Sequence, residues 1–540
     1  MLFPSHALVA ACFLSRAFSF VLPVLPLPAL VHDGQQTPLR GVLKGESAPE
    51  KNKSELDVWL KKEEKLALDR LMANVAPGGR NVLHAAPGTV IASPSKEYPD
   101  YYFQWVRDAA ITMSTVVDVY ASDSTSYLSA HLLPILQAYA SLQYDLQHNP
   151  NPSGTFDDLS SLGEPKFHVD GSPFTDNWGR PQRDGPALRA ITLMSFLRAY
   201  NASHPSLWTS TEGQSFFHEL YDASLPANSI IKADLEYVSR YWSAPSFDLW
   251  EEVSGTHFFT LMVQLRALRE GAVLANAFND PGAAAWYTSS AERISALLDR
   301  FHSPTHGHLV ATLDAPSRSG LDCALLLGSL HGNAQEPTYP QSPRFSPYSD
   351  AVLLSLLALI TDQRHRFPIN SAPAGLSDSE AADPLRGVGI GRYPEDVYTG
   401  TGTADHGGNP WFLCTASVSE LLYRVAAHLS QTNTLHVSGP AHPFWRALVC
   451  RSHSDAACPA GLTPKAGMVY EKGDPVFEAA VQRLREVGDG FLDVVKRHAD
   501  GTGALSEQFD RWTGFERGAA DLTWSYGALL QAVWARGRLD

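Results

Sequence analysis

The stretch DLWEEVSGTHFFTLMVQLRAL, residues 248–268, joins a polar and aromatic cluster to the start of an apolar helix. The cluster holds two adjacent glutamates, Glu251 and Glu252, beside Trp250. Behind it, apolar residues at i, i+3, i+4 spacing predict one buried helical face, formed by Phe258, Leu261, Met262, Leu265 and Leu268. A cluster followed directly by an apolar helix is a pattern that recurs along this chain.

Four further clusters of this kind stand just before predicted helices. They lie at 105–108, 178–185, 392–396 with 409–410, and 506–508. The helices that follow are predicted at 109–120, 186–200, 411–429 and 521–534. If these helices run parallel in one layer, all five clusters converge at one rim.

The remaining pattern is helical as well. Ser54 to Asp57 resembles a capping box that opens a helix. Other helices are predicted at 129–146, 294–301, 350–361 and 476–497, and the segment 350–361 is apolar nearly all round, as in a helix enclosed by others. No linker divides the chain after residue 54, so we expect one all-α domain with two concentric layers of helices.

Composition excludes several classes of protein. The 540 residues include 44% hydrophobic ones, which is too many for disorder over most of the length. The net charge of −15 argues against a nucleic-acid partner, whose phosphates require a basic face. No Gly-rich phosphate loop and no HExxH set is present, and no cofactor or catalytic metal is expected.

The amino-terminal part predicts an exported protein. Residues 7–21 are apolar and indicate a signal peptide over 1–21, followed by a propeptide or flexible lead-in over 22–53. The protein is then expected to be secreted, with a membrane anchor or a vacuolar location as the alternatives. Asn52 and Asn201 stand in sequons that could accept glycans after export.

The five cysteines form no CxxC pair, which disfavours a zinc ribbon. Cys450 and Cys458 bracket a short polar stretch and predict a small disulfide loop, with two free thiols as the alternative. Cys323 and Cys414 stand beside apolar residues and are expected to be buried thiols.

The composition of the clusters favours a neutral, hydroxyl-rich ligand. Tryptophan offers a flat apolar face to a sugar ring. Arginine and aspartate supply donors and acceptors to neighbouring hydroxyls. The predicted rim is therefore a candidate carbohydrate site.

These same residues resemble the fungal glucoamylases of glycoside hydrolase family 15. The similar runs are 90–95, 99–101, 105–108, 162–167, 178–189, 248–253, 391–398, 409–415, 506–508 and 521–526. The resemblance implies an (α/α)6 toroid as a single catalytic domain over 54–540. It also implies exo-acting hydrolysis of α-1,4-glucosidic bonds at the non-reducing ends of starch, dextrins or maltooligosaccharides, with inversion and release of β-D-glucose.

Such a reaction needs two carboxyl groups in different protonation states. By their positions in the similar motifs, Glu251 would be the general acid and Glu507 the general base. The neighbouring carboxylates of Asp248 and Glu252 could raise the pKa of Glu251 by like-charge repulsion. In an inverting enzyme the two carboxyls stand roughly 6.5–9.5 Å apart, with the attacking water between them.

The resemblance also implies substrate-binding roles. Arg107 and Asp108 would bind the terminal glucose, and Tyr101 would lie near the attacking water. Trp178 and Trp411 would form aromatic walls. Further candidates, on the reducing side and around the rim, are Glu252, Arg392, Asp396, Lys166, Trp105, Arg180, Asp248, Leu249, Trp250 and Tyr398.

Two departures from the family pattern carry expectations. The stretch 399–408 is an insertion, expected to alter the reducing-side rim and chain-length preference more than the chemistry. No starch-binding domain follows the last motif, so weak adsorption to starch granules is expected.

The mature chain is expected to be a monomer without membrane or nucleic-acid partners. The alternatives are a toroidal α-glucosidase of other linkage preference and an inactive carbohydrate-binding homologue.

Overall fold

The structure is a computed structural model that describes residues 54–122, 127–335, 339–371, 376–405 and 407–539. The predicted signal peptide at 1–21, the lead-in at 22–53 and the sequon at Asn52 lie outside the described residues. No helix within the described ranges combines the length and the apolarity needed to cross a bilayer.

Helices dominate the described residues. In chain order they are α1 Glu55–Ala73, α2 Val106–Ser122, α3 Tyr127–His148, α4 Asp184–Ser203, α5 Thr211–Leu220, α6 Ile230–Tyr241, α7 Phe258–Ala277, α8 Pro281–Leu298, α9 Ala324–Gly332, α10 Asp350–Arg366, α11 Asp378–Ala382, α12 Phe412–Thr432, α13 His442–Cys450, α14 Pro475–His498 and α15 Thr523–Gly537.

Six of these helices form a closed inner ring. Each packs against the next in the order α2, α4, α7, α9, α12 and α15, and α15 packs back against α2. A second helix covers each one from outside: α3 on α2, α6 on α4, α8 on α7, α10 on α9, α14 on α12 and α1 on α15. The fold is an (α/α)6 toroid, and the predicted two-layer, all-α architecture is confirmed.

Short strands join the loops of the toroid. They are β1 Gln104–Trp105, β2 Lys166–Phe167, β3 Ser246–Phe247, β4 Ser254–His257, β5 His302–Ser303, β6 His308–Leu309, β7 Thr312–Leu313, β8 Thr434–Val437, β9 Met468–Glu471, β10 Gln508–Phe509 and β11 Glu516–Arg517. The antiparallel pairs are β1 with β2, β3 with β4, β4 with β7, β5 with β6, β8 with β9, and β10 with β11. The pairs β1–β2, β3–β4 and β10–β11 lie directly beside the polar clusters.

Helix starts follow local capping chemistry. The Ser54 hydroxyl accepts from the Asp57 amide, and the Asp57 carboxylate accepts from the Ser54 amide, which confirms the predicted capping box. The side chain of Asp280 caps α8, whose first residue is Pro281. The helix predicted from Pro186 starts two residues earlier, at Asp184.

Helix α10, predicted to be enclosed by other helices, lies in the outer layer. None of residues 351–360 is exposed, although α9 covers only one side of the helix. Contacts with α13 and β6 cover other parts of it. Its apolar surface is therefore covered by several elements rather than by α9 alone.

Two disulfides connect the four described cysteines. Cys450 and Cys458 form the predicted small loop. The prediction that Cys323 and Cys414 are buried thiols was wrong, because they form a disulfide across a sequence separation of 91. Cys323 precedes α9 and Cys414 lies in the first turn of α12, and the ring brings these two helix starts together.

Candidate active site

The loops before the inner helices meet at one end of the ring. The Val106 amide donates to the Pro165 carbonyl, and the Phe247 amide donates to the Pro181 carbonyl. The Cys323 amide donates to the Arg392 carbonyl, and Trp411 forms a bridge with Gln508. These contacts bring the predicted clusters together.

Glu251 lies in a tight turn between β3 and β4. Its φ of 67° is in the left-handed region, which is uncommon for a residue with a side chain. The Glu251 amide donates to the Asp248 carbonyl, and the Asp248 carboxylate accepts from the amides of Glu252 and Val253 at 2.7 and 2.9 Å. Asp248 therefore holds the turn that presents Glu251.

Two side chains hold the Glu251 carboxylate. The Gln182 amide donates to Oε1 at 2.9 Å, and the Arg107 guanidinium lies 3.4 Å from the same oxygen. Arg107 also donates to Gln182 at 2.7 Å and to Asp184 at 3.1 Å. The Glu251 side chain keeps 17% of its surface exposed, so a ligand at this end of the ring can reach it.

The carboxylates beside Glu251 are bound to other donors. Arg392 and Arg318 lie 2.9 and 2.7 Å from Glu252, and the Tyr393 hydroxyl donates to it. Burial acts to raise the pKa of Glu252, but Arg392, Tyr393 and Arg318 outweigh burial and lower it.

Glu507 is fully buried just before β10. Its Oε1 accepts from the Tyr101 hydroxyl at 2.9 Å, and its Oε2 accepts from the Tyr398 hydroxyl at 3.3 Å. Burial raises the pKa of Glu507, whereas Tyr101, Arg392 and Tyr398 oppose the rise. Gly518 faces this carboxylate with a φ of +73°, and a Cβ atom there would stand 2.2 Å from Oε2.

One aromatic wall surrounds Lys166. The rings of Tyr101 and Trp105 are 5.4 Å apart, and those of Trp105 and Trp178 are 6.0 Å apart. The Lys166 ammonium lies 3.7 Å from the centre of the Trp178 ring and also faces Trp105, Phe103 and Phe174. Burial lowers the pKa of Lys166 to about 8. Lys166 thus supports the wall from within, and its direct contact with substrate remains a prediction.

The opposite wall is arranged around Arg392. The Trp250 and Trp411 rings are 5.5 Å apart, and the Arg392 guanidinium lies 5.4 Å from each and 5.3 Å from the Tyr398 ring. Asp396 accepts two hydrogen bonds from Arg392, at 2.8 and 2.6 Å. Arg392 thereby connects Glu252, next to the predicted acid, with Tyr398, which touches the predicted base.

Two further predicted residues are held by contacts within the protein, and their roles at the substrate remain predictions. Arg180 donates to Glu164 and to the carbonyls of Asp176 and Phe174, so its guanidinium holds a loop. Leu249 is buried in the core.

The sequence prediction missed the cluster before α9, the one inner helix in the described ring for which no such cluster was predicted. There the Asp322 carboxylate accepts from the Trp250 indole at 3.0 Å and from the Ala324 amide at 2.7 Å. Burial raises the pKa of Asp322 to about 7. Arg318, in the same loop, lies 3.5 Å above the Tyr393 ring. The sequence does contain the pattern that would have found this cluster, since Arg318 and Asp322 precede an apolar helix, as in the other five clusters.

Comparisons with known proteins agree with this architecture. The family model described as Glycosyl hydrolases family 15 matches residues 65–534. Glucoamylase GLU1 of Saccharomycopsis fibuligera is 36% identical over 502 residues, which cover 90% of this chain and 92% of the relative. A probable glucoamylase of Schizosaccharomyces pombe is 33% identical and covers 92% of this chain and 96% of its own. The solved structure of a Saccharomycopsis fibuligera glucoamylase superposes with a TM-score of 0.79 at 34% identity, over 92% of this chain and 99% of that one.

Proposed function

The chain belongs to glycosyl hydrolases family 15 and is a glycoside hydrolase, and from this premise we propose that it removes glucose units one at a time from α-1,4-linked glucans. Starch, dextrins and maltooligosaccharides are its substrates, attacked at their non-reducing ends. The reaction is hydrolysis with inversion, which releases β-D-glucose.

The observation that supports this proposal best is that two unlike glutamates lie at the same end of the ring, connected through Glu252, Arg392 and Tyr398. Glu251 is partly exposed and is held by Gln182 and Arg107, whereas Glu507 is buried beneath two tyrosine hydroxyls. An inverting hydrolase needs such a pair, one carboxyl to protonate the leaving oxygen and one to take a proton from water. A protein that only binds carbohydrate has no need of the second carboxyl.

In this mechanism Glu251 donates its proton to the glycosidic oxygen as the bond to the anomeric carbon breaks. Glu507 accepts a proton from a water that attacks that carbon from the opposite face. Tyr101, whose hydroxyl donates to Glu507, helps to hold the carboxylate toward this water. The products are β-D-glucose and a glucan shortened by one unit.

We assign the terminal glucose to Arg107 and Asp108, at the start of α2. Burial raises the pKa of Asp108 to about 6, with Arg107 opposing the rise and Glu251 adding to it. An aspartate next to a buried arginine offers acceptor and donor groups to adjacent sugar hydroxyls. Trp178 and Trp411 supply the apolar faces on either side.

Proton NMR of the purified protein with maltotriose tests the proposal. The first glucose signal is expected to be that of the β-anomer. Early α-glucose would refute inversion, and release of maltose without glucose would refute removal of single units.

Glu251→Gln keeps the size of the side chain and removes the proton donor, so turnover should fall by about 10²–10⁴-fold or more. Glu507→Gln should cause a loss of similar size. Near-normal activity of either variant would remove that residue from its role. Glu395→Gln, at an exposed glutamate of the same rim, is the control.

We further propose that the mature protein is secreted and monomeric. The apolar stretch 7–21 and the two disulfides support export to an oxidising compartment. Cleavage of the amino-terminal segment and recovery from the medium would be the expected result on expression in yeast. Light scattering should give the mass of one chain.

A further inference from the structure

The inserted segment, residues 399–408, begins directly after Tyr398 and folds back to it. The Thr399 amide donates to the Gly402 carbonyl at 2.8 Å, and Tyr398 forms a bridge with Thr403. The Gly408 amide then donates to the Tyr398 carbonyl at 3.2 Å. Both ends of the inserted segment are therefore held at Tyr398.

The Tyr398 hydroxyl has three neighbours that compete for one proton. Its oxygen lies 3.1 Å from the Gly400 carbonyl, 3.3 Å from Glu507 Oε2 and 3.2 Å from the Tyr101 hydroxyl. A phenol donates only one hydrogen bond. When the proton points to Gly400, which is part of the insertion, Tyr398 no longer donates to Glu507.

The inserted segment is also fixed to the hairpin that carries Glu507. The Asn409 amide donates to the Thr399 carbonyl at 3.2 Å and to the Gln508 side chain at 2.7 Å. Arg511 donates to the carbonyls of Gly407 and Gly408. These contacts link both ends of the insertion to strand β10 and the residues that follow it.

Gly400 is the residue of the insertion that packs against Gly518. Its φ is +89°, and a Cβ atom there would lie 2.8 Å from the backbone of Gly518, the glycine that faces the Glu507 carboxylate. The fit leaves no room for a side chain, so the Gly400 carbonyl has a defined position beside the Tyr398 hydroxyl.

We propose that the inserted segment positions the general base, because the Gly400 carbonyl draws the Tyr398 proton away from Glu507. Oε2 then keeps only the long contact of 3.4 Å from the Gln508 amide and can accept a proton from water. This inference rests on the proposed function. It adds an effect on chemistry to the expected effect of the insertion on the reducing-side rim. Tyr398 and Gly400 are positioning residues here, since they act through Glu507.

The direction of the effect follows from the charges around Glu507. Tyr101, Tyr398, Arg392 and the Ala519 backbone all favour its ionised form. Without the Gly400 carbonyl, Tyr398 donates to Glu507 more of the time, which lowers the pKa of Glu507 and weakens it as a base. The acidic limb of the rate profile should then move to lower pH, and kcat should fall.

The test is to shorten the insertion and to measure whether the resulting shift of the acidic limb requires the Tyr398 hydroxyl. In the shortened variant, residues 399–407 are replaced by Asn-Gly, a two-residue turn that can connect Tyr398 to Gly408. With maltotriose, the acidic limb of kcat should move down by about 0.5–1 pH unit and kcat should fall about 3–10-fold, as expected for one altered hydrogen bond to a charge. Gly400→Ala, which keeps the length, should move the limb in the same direction.

The decisive comparison repeats the shortening in the Tyr398→Phe background. There the hydroxyl is absent, so shortening should leave the acidic limb where Tyr398→Phe alone puts it. A shift of equal size in both backgrounds, or no shift in either, would overturn the inference. A change confined to KM for longer substrates would also overturn it, because that outcome assigns the segment to the rim alone.

Two controls keep the result interpretable. Thermal unfolding identifies variants that do not fold, and Gly400→Ala then carries the test if the shortened loop fails. The unaltered chain must first release β-glucose from maltotriose. If it does not, the proposed function fails, whereas an active parent with an unmoved acidic limb contradicts only the role of the insertion.

Discussion

At the scale of single residues, the Tyr101 hydroxyl makes the shortest of the hydrogen bonds described for the Glu507 carboxylate. It donates to Glu507 at 2.9 Å, and the wall formed with Trp105 holds its ring. A hydrogen bond to a charged group contributes about 1.5–3 kcal/mol, enough to move a pKa by about 1–2 units.

We predict that Tyr101→Phe moves the acidic limb of kcat/KM to higher pH by about 1 unit. The sign follows because the lost donor stabilised the ionised form of Glu507, so the pKa of Glu507 rises. The base works only when ionised, and activity then appears at higher pH. Tyr139→Phe is the control, since the Tyr139 hydroxyl is buried without a hydrogen-bond partner in the described structure. An unmoved limb in Tyr101→Phe would contradict the contact.

A second prediction concerns Asp322, whose pKa is raised by burial to about 7. Only below about pH 3 is the carboxyl largely protonated in both states, because its ordinary pKa is near 3.8. Between about pH 4 and 7 it ionises in the unfolded chain but stays protonated in the fold, so stability falls as pH rises. Asp322→Asn removes this loss and keeps an acceptor for the Trp250 indole.

The variant Asp322→Asn should therefore gain stability relative to the parent as pH rises from 4 to 7, and keep that gain at pH 8. Thermal unfolding of both proteins at pH 4, 6 and 8 measures the difference. A constant difference across this range would show that Asp322 does not titrate as described.

Residues of the site divide clearly into those that the sequence predicts and those that it does not. Glu251, Arg107 and Trp411 belong to motifs that resemble a known family, and the fold brings them to one end of the ring. Asp322 and Arg318 were missed, because a single aspartate before a helix most often reads as a cap. Their importance arises from contacts with Trp250 and Tyr393, which are 72 and 75 positions away in sequence.

At the scale of elements, a disulfide joins the starts of two neighbouring inner helices, α9 and α12. Periodicity predicts both helices, but it does not say which helices are neighbours in the ring. The pairing of Cys323 with Cys414 depends on that neighbourhood, whereas apolar surroundings alone predict two thiols.

Removing this disulfide should destabilise the protein more than removing the other one. The sequence separations are 91 and 8, and the loop-entropy relation gives about 2 kcal/mol more for the longer loop. We predict that the double variant Cys323→Ala/Cys414→Ala loses about 2–4 kcal/mol of unfolding free energy. Urea denaturation without reductant measures the loss, with Cys450→Ala/Cys458→Ala as the matched control. Equal losses would contradict the loop argument.

At the scale of the whole molecule, a buried ion pair connects the two layers of helices. Arg189 of inner helix α4 donates to Asp234 of outer helix α6 at 2.8 and 2.6 Å, and to Gln143 of α3 at 3.3 Å. Both partners of the pair are buried, so neither charge can return to water while the layers stay packed.

We predict that Arg189→Met alone lowers the unfolding free energy by about 3–5 kcal/mol, because it leaves the Asp234 carboxylate buried and unpaired. The double variant Arg189→Met/Asp234→Leu should recover most of that loss, since no charge is then stranded. Chemical denaturation of both variants decides the matter. A double variant as unstable as Arg189→Met would show that the pair itself, rather than its completeness, stabilises the layers.

The closed ring also has a consequence for biosynthesis. Helix α15 completes the circle by packing against α2, the first inner helix, and Glu507 stands 16 residues before the start of α15. A ribosome must therefore release almost the entire catalytic domain before the first and last inner helices can meet. The growing chain has no complete active site until that moment, so hydrolysis begins only after synthesis of the domain is nearly over.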